Sequence, residues 1–166
     1  MIPEQKEFDY FIIDTAAKGS MFNRTEVLDL VRESILQSPW STIGEMNNAL
    51  VESMGNVFLN HPTSDRYLCI GLHRGVPVGL IAGSLSSTGA VGNKIAHEIL
   101  WYVAEDFRKS KVGVTLKKMF EKWAKDSKAS HVSLATYAND LGQGLGEYFK
   151  KQGYVPVEII YAKELG

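Results

Sequence analysis

Glu98 stands inside an otherwise apolar run, Ile95 to Val103. A carboxylate stripped of water there holds its proton more tightly, and it can then exchange a proton with a bound partner near neutral pH. Further along, Arg108, Lys109 and Lys111 crowd one short turn before a helical pattern opens at Val112 and Gly113. Unpaired amides at a helix N-terminus beside three cations suit a pyrophosphate. A solvated basic turn would share that composition, and a charge-paired carboxylate would equally account for Glu98.

Other constellations carry less. Gly142, Gly144 and Gly146 imitate a dinucleotide loop, but Glu147 replaces the third glycine and no strand-to-helix turn precedes them. His61, His73, His97 and His131 lack metal-ligand spacing, so no metal is expected, and there is no Gly-Lys-Ser/Thr phosphate loop. His97 alternates to the face opposite Glu98, as a hydrogen-bonded core residue would. Cys69 is a single thiol in an apolar run and reads as buried and structural. Lys117, Lys118, Lys122 and Lys125 read as the solvated face of a helix.

The elements that must position Glu98 and the basic turn follow from periodicity. An apolar segment, Tyr10 to Ile13, comes first. Asn23 with Glu26, and Thr42 with Glu45, are capping pairs for two amphipathic helices, the second carrying Ile43, Met46, Leu50, Met54 and Val57. From Arg66 to Ser84 two strands flank Arg74-Gly75 as a hairpin, and Ser86 to Asn93 is a loop. The strand Ile95 to Val103 presents Ile95, His97, Ile99, Trp101 and Val103 on one face and Ala96, Glu98, Leu100 and Tyr102 on the other. A helix over Val112 to Lys125, a strand with Val132, Leu134 and Thr136, a short helix with Leu141, Leu145, Tyr148 and Phe149, and a last strand, Val155 to Ala162, complete the chain.

The 166 residues suit one α/β domain over 1–166. A net charge of -1 argues against coating nucleic acid, and no run approaches the roughly 20 apolar residues of a membrane span. The N-terminal segment has Glu4, Glu7 and Asp9 and no basic flank of a signal peptide, so a cytoplasmic location is expected.

Taken together, Glu98 to Leu165 resembles the GNAT acetyltransferase family. The turn Arg108-Lys-Ser-Lys-Val-Gly113 is similar to its Arg/Gln-x-x-Gly-x-Gly/Ala signature. His131 to Asn139 resembles its fifth strand and exit, and Tyr148-Phe-Lys-Lys-Gln-Gly-Tyr154 its closing aromatic helix end. The front half agrees in element order. The resemblance implies an α/β (α+β) fold: a mixed, mostly antiparallel sheet splayed between the fourth and fifth strands, with helices on both faces.

It further implies acetyl-CoA as co-substrate, its pantetheine arm along Trp101, Tyr102 and Val103. The pyrophosphate would lie over Arg108, Lys109, Ser110, Lys111, Val112, Gly113 and Val114, and Asn139 would contact the arm. Two departures stand out: Lys111 replaces the first signature glycine, and Phe149 occupies the place of the family's acid tyrosine. Glu98 is then the candidate base. Tyr148 is the leading candidate acid, with Tyr137 and water as competitors, and amides near Val103 would polarise the carbonyl.

The function implied is acetyl transfer to a primary amine of a small molecule or protein, by direct attack in a ternary complex. The alternative is a degenerate domain that binds acyl-CoA without catalysis. A toxin acting on aminoacyl-tRNA fits less well with the charge and with Phe149. The acceptor side falls on Asn23 to Asn56 and the loop Ser86 to Asn93, with Asn47, Asn48 and Glu52 as candidate contacts. A homodimer is compatible with the sequence, and the amine is unidentified.

Overall fold

The computed structural model describes residues 8–87 and 92–165, so part of the expected loop Ser86 to Asn93 lies outside the described residues. Five strands form one sheet in the order β1 to β5: Asp9–Ile12, Arg66–His73, Val76–Ser87, Lys94–Val103 and His131–Ser133. The first four are antiparallel to their neighbours, and β5 runs parallel to β4. Helices α1 (Ala16–Gly19), α2 (Arg24–Leu36), α3 (Asn48–Gly55), α4 (Val112–Asp126) and α5 (Asp140–Lys151) complete the described elements.

The β2–β3 hairpin forms where Arg74-Gly75 predicts it. Both turn residues have positive φ, 51° and 82°, as a two-residue turn matched to strand twist requires, and glycine supplies the second without strain. Helices cover both faces. On one, Val27, Leu28 and Val31 of α2 and Val51 of α3 pack on Leu68, Ile70, Leu80 and Leu100. On the other, Val112, Leu116 and Phe120 of α4 pack on Tyr67, Cys69, Ile81 and Ala96.

Four expectations require correction. Asn23 does cap α2, its Oδ1 accepting from the Thr25 amide, but α3 begins at Asn47 rather than Thr42. Pro39–Thr42 forms a 3-10 turn, and Asn47 Oδ1 takes the Leu50 amide at 3.1 Å. A short-range cap on a free amide decides the start against the longer apolar stripe, and Ile43 and Leu50 stay exposed.

The second correction concerns β4. Gly83 pairs with Glu98 and Ala82 with Leu100, leaving Ile99 as an extra residue in a bulge. The bulge reverses the alternation, so Ala96 shares the α4 face with Trp101 and Val103, while Leu100 and Tyr102 face α2. Third, β5 ends at Ser133 instead of running through Thr136. Fourth, Val155 to Ala162 forms no strand, and every residue of this segment is exposed.

Gly83 is the point at which the bulge meets α4. A Cβ there would fall 2.5 Å from Phe120 Cε2 and 2.6 Å from the His97 carbonyl oxygen, one of them backbone that cannot step aside. Gly83→Ala is expected to cost about 1–3 kcal/mol by overpacking, read as a lower midpoint in chemical denaturation with an unchanged slope.

Candidate active site

The pairing of β4 with β5 covers Ile95, Ala96 and His97 against His131, Val132 and Ser133, and then stops. Beyond it β4 continues to Val103 with β3 alone on its flank. The Ala104 amide donates to Val78 O at 2.9 Å, so by alternation Leu100 and Tyr102 direct their backbone groups to β3. Trp101 and Val103 therefore turn theirs into the gap.

At the end of this gap lies the basic turn. The amides of Lys109, Lys111, Gly113 and Val114 have no hydrogen-bond partner among the described residues. Those of Ser110 and Val112 are taken, the first by Phe107 O and the second by Ser110 Oγ at 3.3 Å. Lys111 caps α4 at φ -77°, ordinary right-handed backbone, so the missing signature glycine leaves no strain here. The Lys109 and Lys111 ammonium groups are exposed and form no ion pair among the described residues.

Arg108 is committed differently. Its Nε donates to Val103 O at 3.1 Å, a second nitrogen donates to Gln37 Oε1 at the end of α2, and the guanidinium lies 5.5 Å from the Tyr102 ring centroid. It ties the basic turn to α2, where Glu33 also accepts from the Tyr102 hydroxyl at 3.2 Å. Val112, expected at the cofactor, is fully buried and contributes its side chain to the core.

Glu98 sits at the bulge, half-buried, where the two strands part. Its Oε2 accepts from the Ala135 amide at 3.1 Å, across the start of the gap. Burial pushes its carboxyl up to about 7, against the opposing pull of that amide. Tyr137 lies near enough for the Glu98 charge to matter: burial and then that charge push the phenol up. His97, read in the sequence as a hydrogen-bonded core residue, is half-buried and has no side-chain hydrogen bond among the described residues.

The closing wall comes from α5. Phe149 is buried and stacks on Trp101 with centroids 5.9 Å apart, and Trp101 Nε1 is a buried donor without a partner among the described residues. Tyr148 instead presents its ring to Lys117, 5.8 Å from the ammonium. Lys117 overturns the reading of a solvated face: it is 2% exposed, bound to Glu121 at 2.6 Å and flanked by Tyr154 at 5.3 Å. The Tyr154 hydroxyl donates to the same Glu121 oxygen at 2.5 Å. This cluster was invisible in the sequence except as helical spacing.

Asn139 caps α5, its Oδ1 accepting from the Gly142 amide at 2.8 Å while its amide nitrogen has no partner among the described residues. The candidate acceptor contacts are also engaged: Asn47 caps α3, Asn48 accepts from Arg32, and Glu52 accepts from Arg24 and Arg32 at 3.0 Å each. They hold α2 to α3. Among the described residues no group of acidic, histidine or cysteine side chains could hold a metal, and no helix is long and apolar enough to cross a membrane.

Known structures share this architecture. AAC(6')-Iy bound to the bisubstrate analog CoA-S-monomethyl-acetylneamine superposes with TM-score 0.68 at 15% identity, covering 95% of this chain and 98% of that one. An aminoglycoside acetyltransferase from an uncultured soil metagenomic sample, in complex with sisomicin, gives 0.66 at 11%, with coverage of 95% and 97%. The ribosomal-protein-alanine N-acetyltransferase from Brucella melitensis biovar Abortus 2308 gives 0.64 at 14%, with coverage of 96% and 99%. At such identities the likeness is one of fold. No curated protein matches the sequence. The family model described as "Acetyltransferase (GNAT) family" matches residues 33–154, a span that runs from the last turn of α2 through α5 and holds the gap and the basic turn, and the chain belongs to that family.

Proposed function

We propose that this protein transfers an acetyl group from acetyl-CoA to a primary amine of a small molecule or a protein, by direct attack within a ternary complex. The observation that carries this reading is Glu98, a carboxylate with its pKa near 7, placed where β4 and β5 part. An attacking amine must be neutral, and a base that titrates near the working pH serves that purpose best. Structural relatives crystallised with CoA support the co-substrate.

The residues assign themselves by what they have free. The unpartnered amides of Lys109, Lys111, Gly113 and Val114 receive the pyrophosphate, with the Lys109 and Lys111 ammonium groups beside them. The backbone edge of Trp101 pairs with the pantetheine arm, and the Val103 amide, whose own carbonyl is held by Arg108, polarises the thioester carbonyl. Asn139 offers its amide nitrogen to the arm. As the amine attacks, Glu98 accepts its proton, the tetrahedral adduct collapses, and the carbon–sulfur bond breaks. The thiolate then needs a proton.

Phe149 favours a second reading at this last step. It fills the wall against Trp101 where a hydroxyl would serve, and phenylalanine has no proton to give. A domain that holds acyl-CoA without transferring it is the alternative. Tyr148, packed on Lys117, is the candidate acid on α5.

Calorimetric titration with acetyl-CoA tests the cofactor, with saturable binding expected and dephospho-CoA as a control. Glu98→Gln should bind equally well but lose roughly 100- to 10,000-fold in kcat. With active protein, log kcat/KM should rise with pH and level off above about 7, the Glu98 pKa; a flat profile would remove Glu98 as base. In Tyr148→Phe, a fall in kcat without loss of binding marks the acid, and an unchanged kcat leaves thiolate protonation to water. Binding without turnover across an amine panel establishes the second reading.

Stability gives an independent check on Glu98. Its folded pKa, about 7, lies above the ordinary value of 4.5, so the fold favours the protonated form. That contribution is complete below the ordinary value and is lost as pH rises to about 7. Glu98→Gln, which imitates the protonated acid, should match the parent Tm at pH 4 and exceed it at pH 8.

A further inference from the structure

Among the described residues three buried side-chain polar atoms have no hydrogen-bond partner: Arg24 Nη1, Tyr67 Oη and Trp101 Nε1. The Arg24 guanidinium is already paired with Glu52 through its other nitrogen, and Tyr67 lies on β2 beside Cys69, with β3 and β4 between it and the gap. Trp101 Nε1 differs, because Trp101 belongs to the stretch of β4 that borders the gap. A buried N–H left without an acceptor is costly, and folded proteins rarely keep one without a use.

This donor adjoins the N-terminus of α4. A Cβ on Gly113 would stand 4.0 Å from Trp101 Nε1, 3.6 Å from Trp101 Cζ2 and 3.5 Å from Val103 Cγ2. Those are ordinary contacts, and Gly113 has helical backbone without positive φ, so neither packing nor conformation demands a glycine that weakens the helix. What glycine leaves is an approach, clear of any side chain, to its own unpartnered amide and that of Val114, with the indole N–H alongside. Phe149 holds the indole from one face, its ring inclined by only 22°, and Phe149 itself packs on Tyr154, whose hydroxyl is fixed by Glu121. An indole clamped in this way cannot turn its N–H aside without breaking the stack.

We infer that the Trp101 indole N–H is a further donor to the pyrophosphate of the cofactor, beside the Gly113 and Val114 amides, and that Phe149 is the residue that positions it. The inference rests on the acetyl-CoA reading above. It gives Phe149 a task that needs a flat apolar face and no hydroxyl. An N–H given to an anionic oxygen forms the stronger, charge-assisted kind of hydrogen bond.

Trp101→Phe keeps an aromatic ring for Phe149 and removes the donor, so calorimetry should show acetyl-CoA bound about 10- to 100-fold more weakly. Of the three tryptophan indole N–H signals in an NMR spectrum, the one missing from Trp101→Phe is that of Trp101. In the parent it should move downfield with acetyl-CoA and with inorganic pyrophosphate, and stay in place with pantetheine, which carries no phosphate. Phe149→Leu should weaken acetyl-CoA binding in the parent but add little to Trp101→Phe, while Phe149→Tyr should bind as the parent does.

A parent that binds no acetyl-CoA would overturn the cofactor reading and this inference together. If the parent binds it and Trp101→Phe binds equally well, or the indole signal stays still, this inference alone falls. A signal that moves with pantetheine and not with pyrophosphate overturns it too, by giving the donor to the arm. Additive losses in the double variant would remove the positioning role of Phe149.

Discussion

Three residue pairs of parallel ladder join β4 to β5, and the ladder then ends while β4 continues toward Val103. Every backbone amide and carbonyl removed from water must find a partner. A strand left open inside a fold is therefore a demand for one, and here the demand falls between two packed helical layers. The rest of the architecture serves this opening. The bulge at Ile99 sets Glu98 at its narrow end, α4 aims free amides across its wide end, and α5 closes it with Phe149 on Trp101.

Much of this was legible in the chain. Arg74-Gly75 announced the hairpin because it separates two β-patterned apolar runs and ends in a glycine that takes positive φ without strain, and Asn23 announced α2 because its side chain reaches a free amide. The basic turn and Glu98 were visible because charges in apolar surroundings need a reason. The start of α3 was not, because Thr42 and Asn47 are both good caps and only the 3-10 turn after Pro39 chooses between them. Nor was the bulge: strict alternation along Ile95 to Val103 looks natural, and the extra residue is defined only by what β3 opposes to it.

Long-range commitments were the least legible. Arg108 looks like a phosphate ligand until Gln37, far away in sequence, takes one of its nitrogens. Lys117 looks like a surface lysine until Glu121, Tyr148 and Tyr154 enclose it. A buried ammonium is tolerable only with such partners, one carboxylate for its charge and aromatic faces for its flanks. The cluster binds the end of α5 to α4, and it thereby holds Phe149 in its stack.

Arg108 connects two parts of the molecule that are far apart in sequence, the basic turn and the end of α2. One face of it supports the turn that would cradle a nucleotide, and the other grips α2, on the side where acceptors are expected. The end of α2 therefore does not move independently of the basic turn. A substitution at Gln37 or Glu33 removes a tie between α2 and the segment from Tyr102 to Arg108. The single Arg108 guanidinium thus makes the end of α2 and the basic turn one mechanical unit, in which a change at either place is felt at the other.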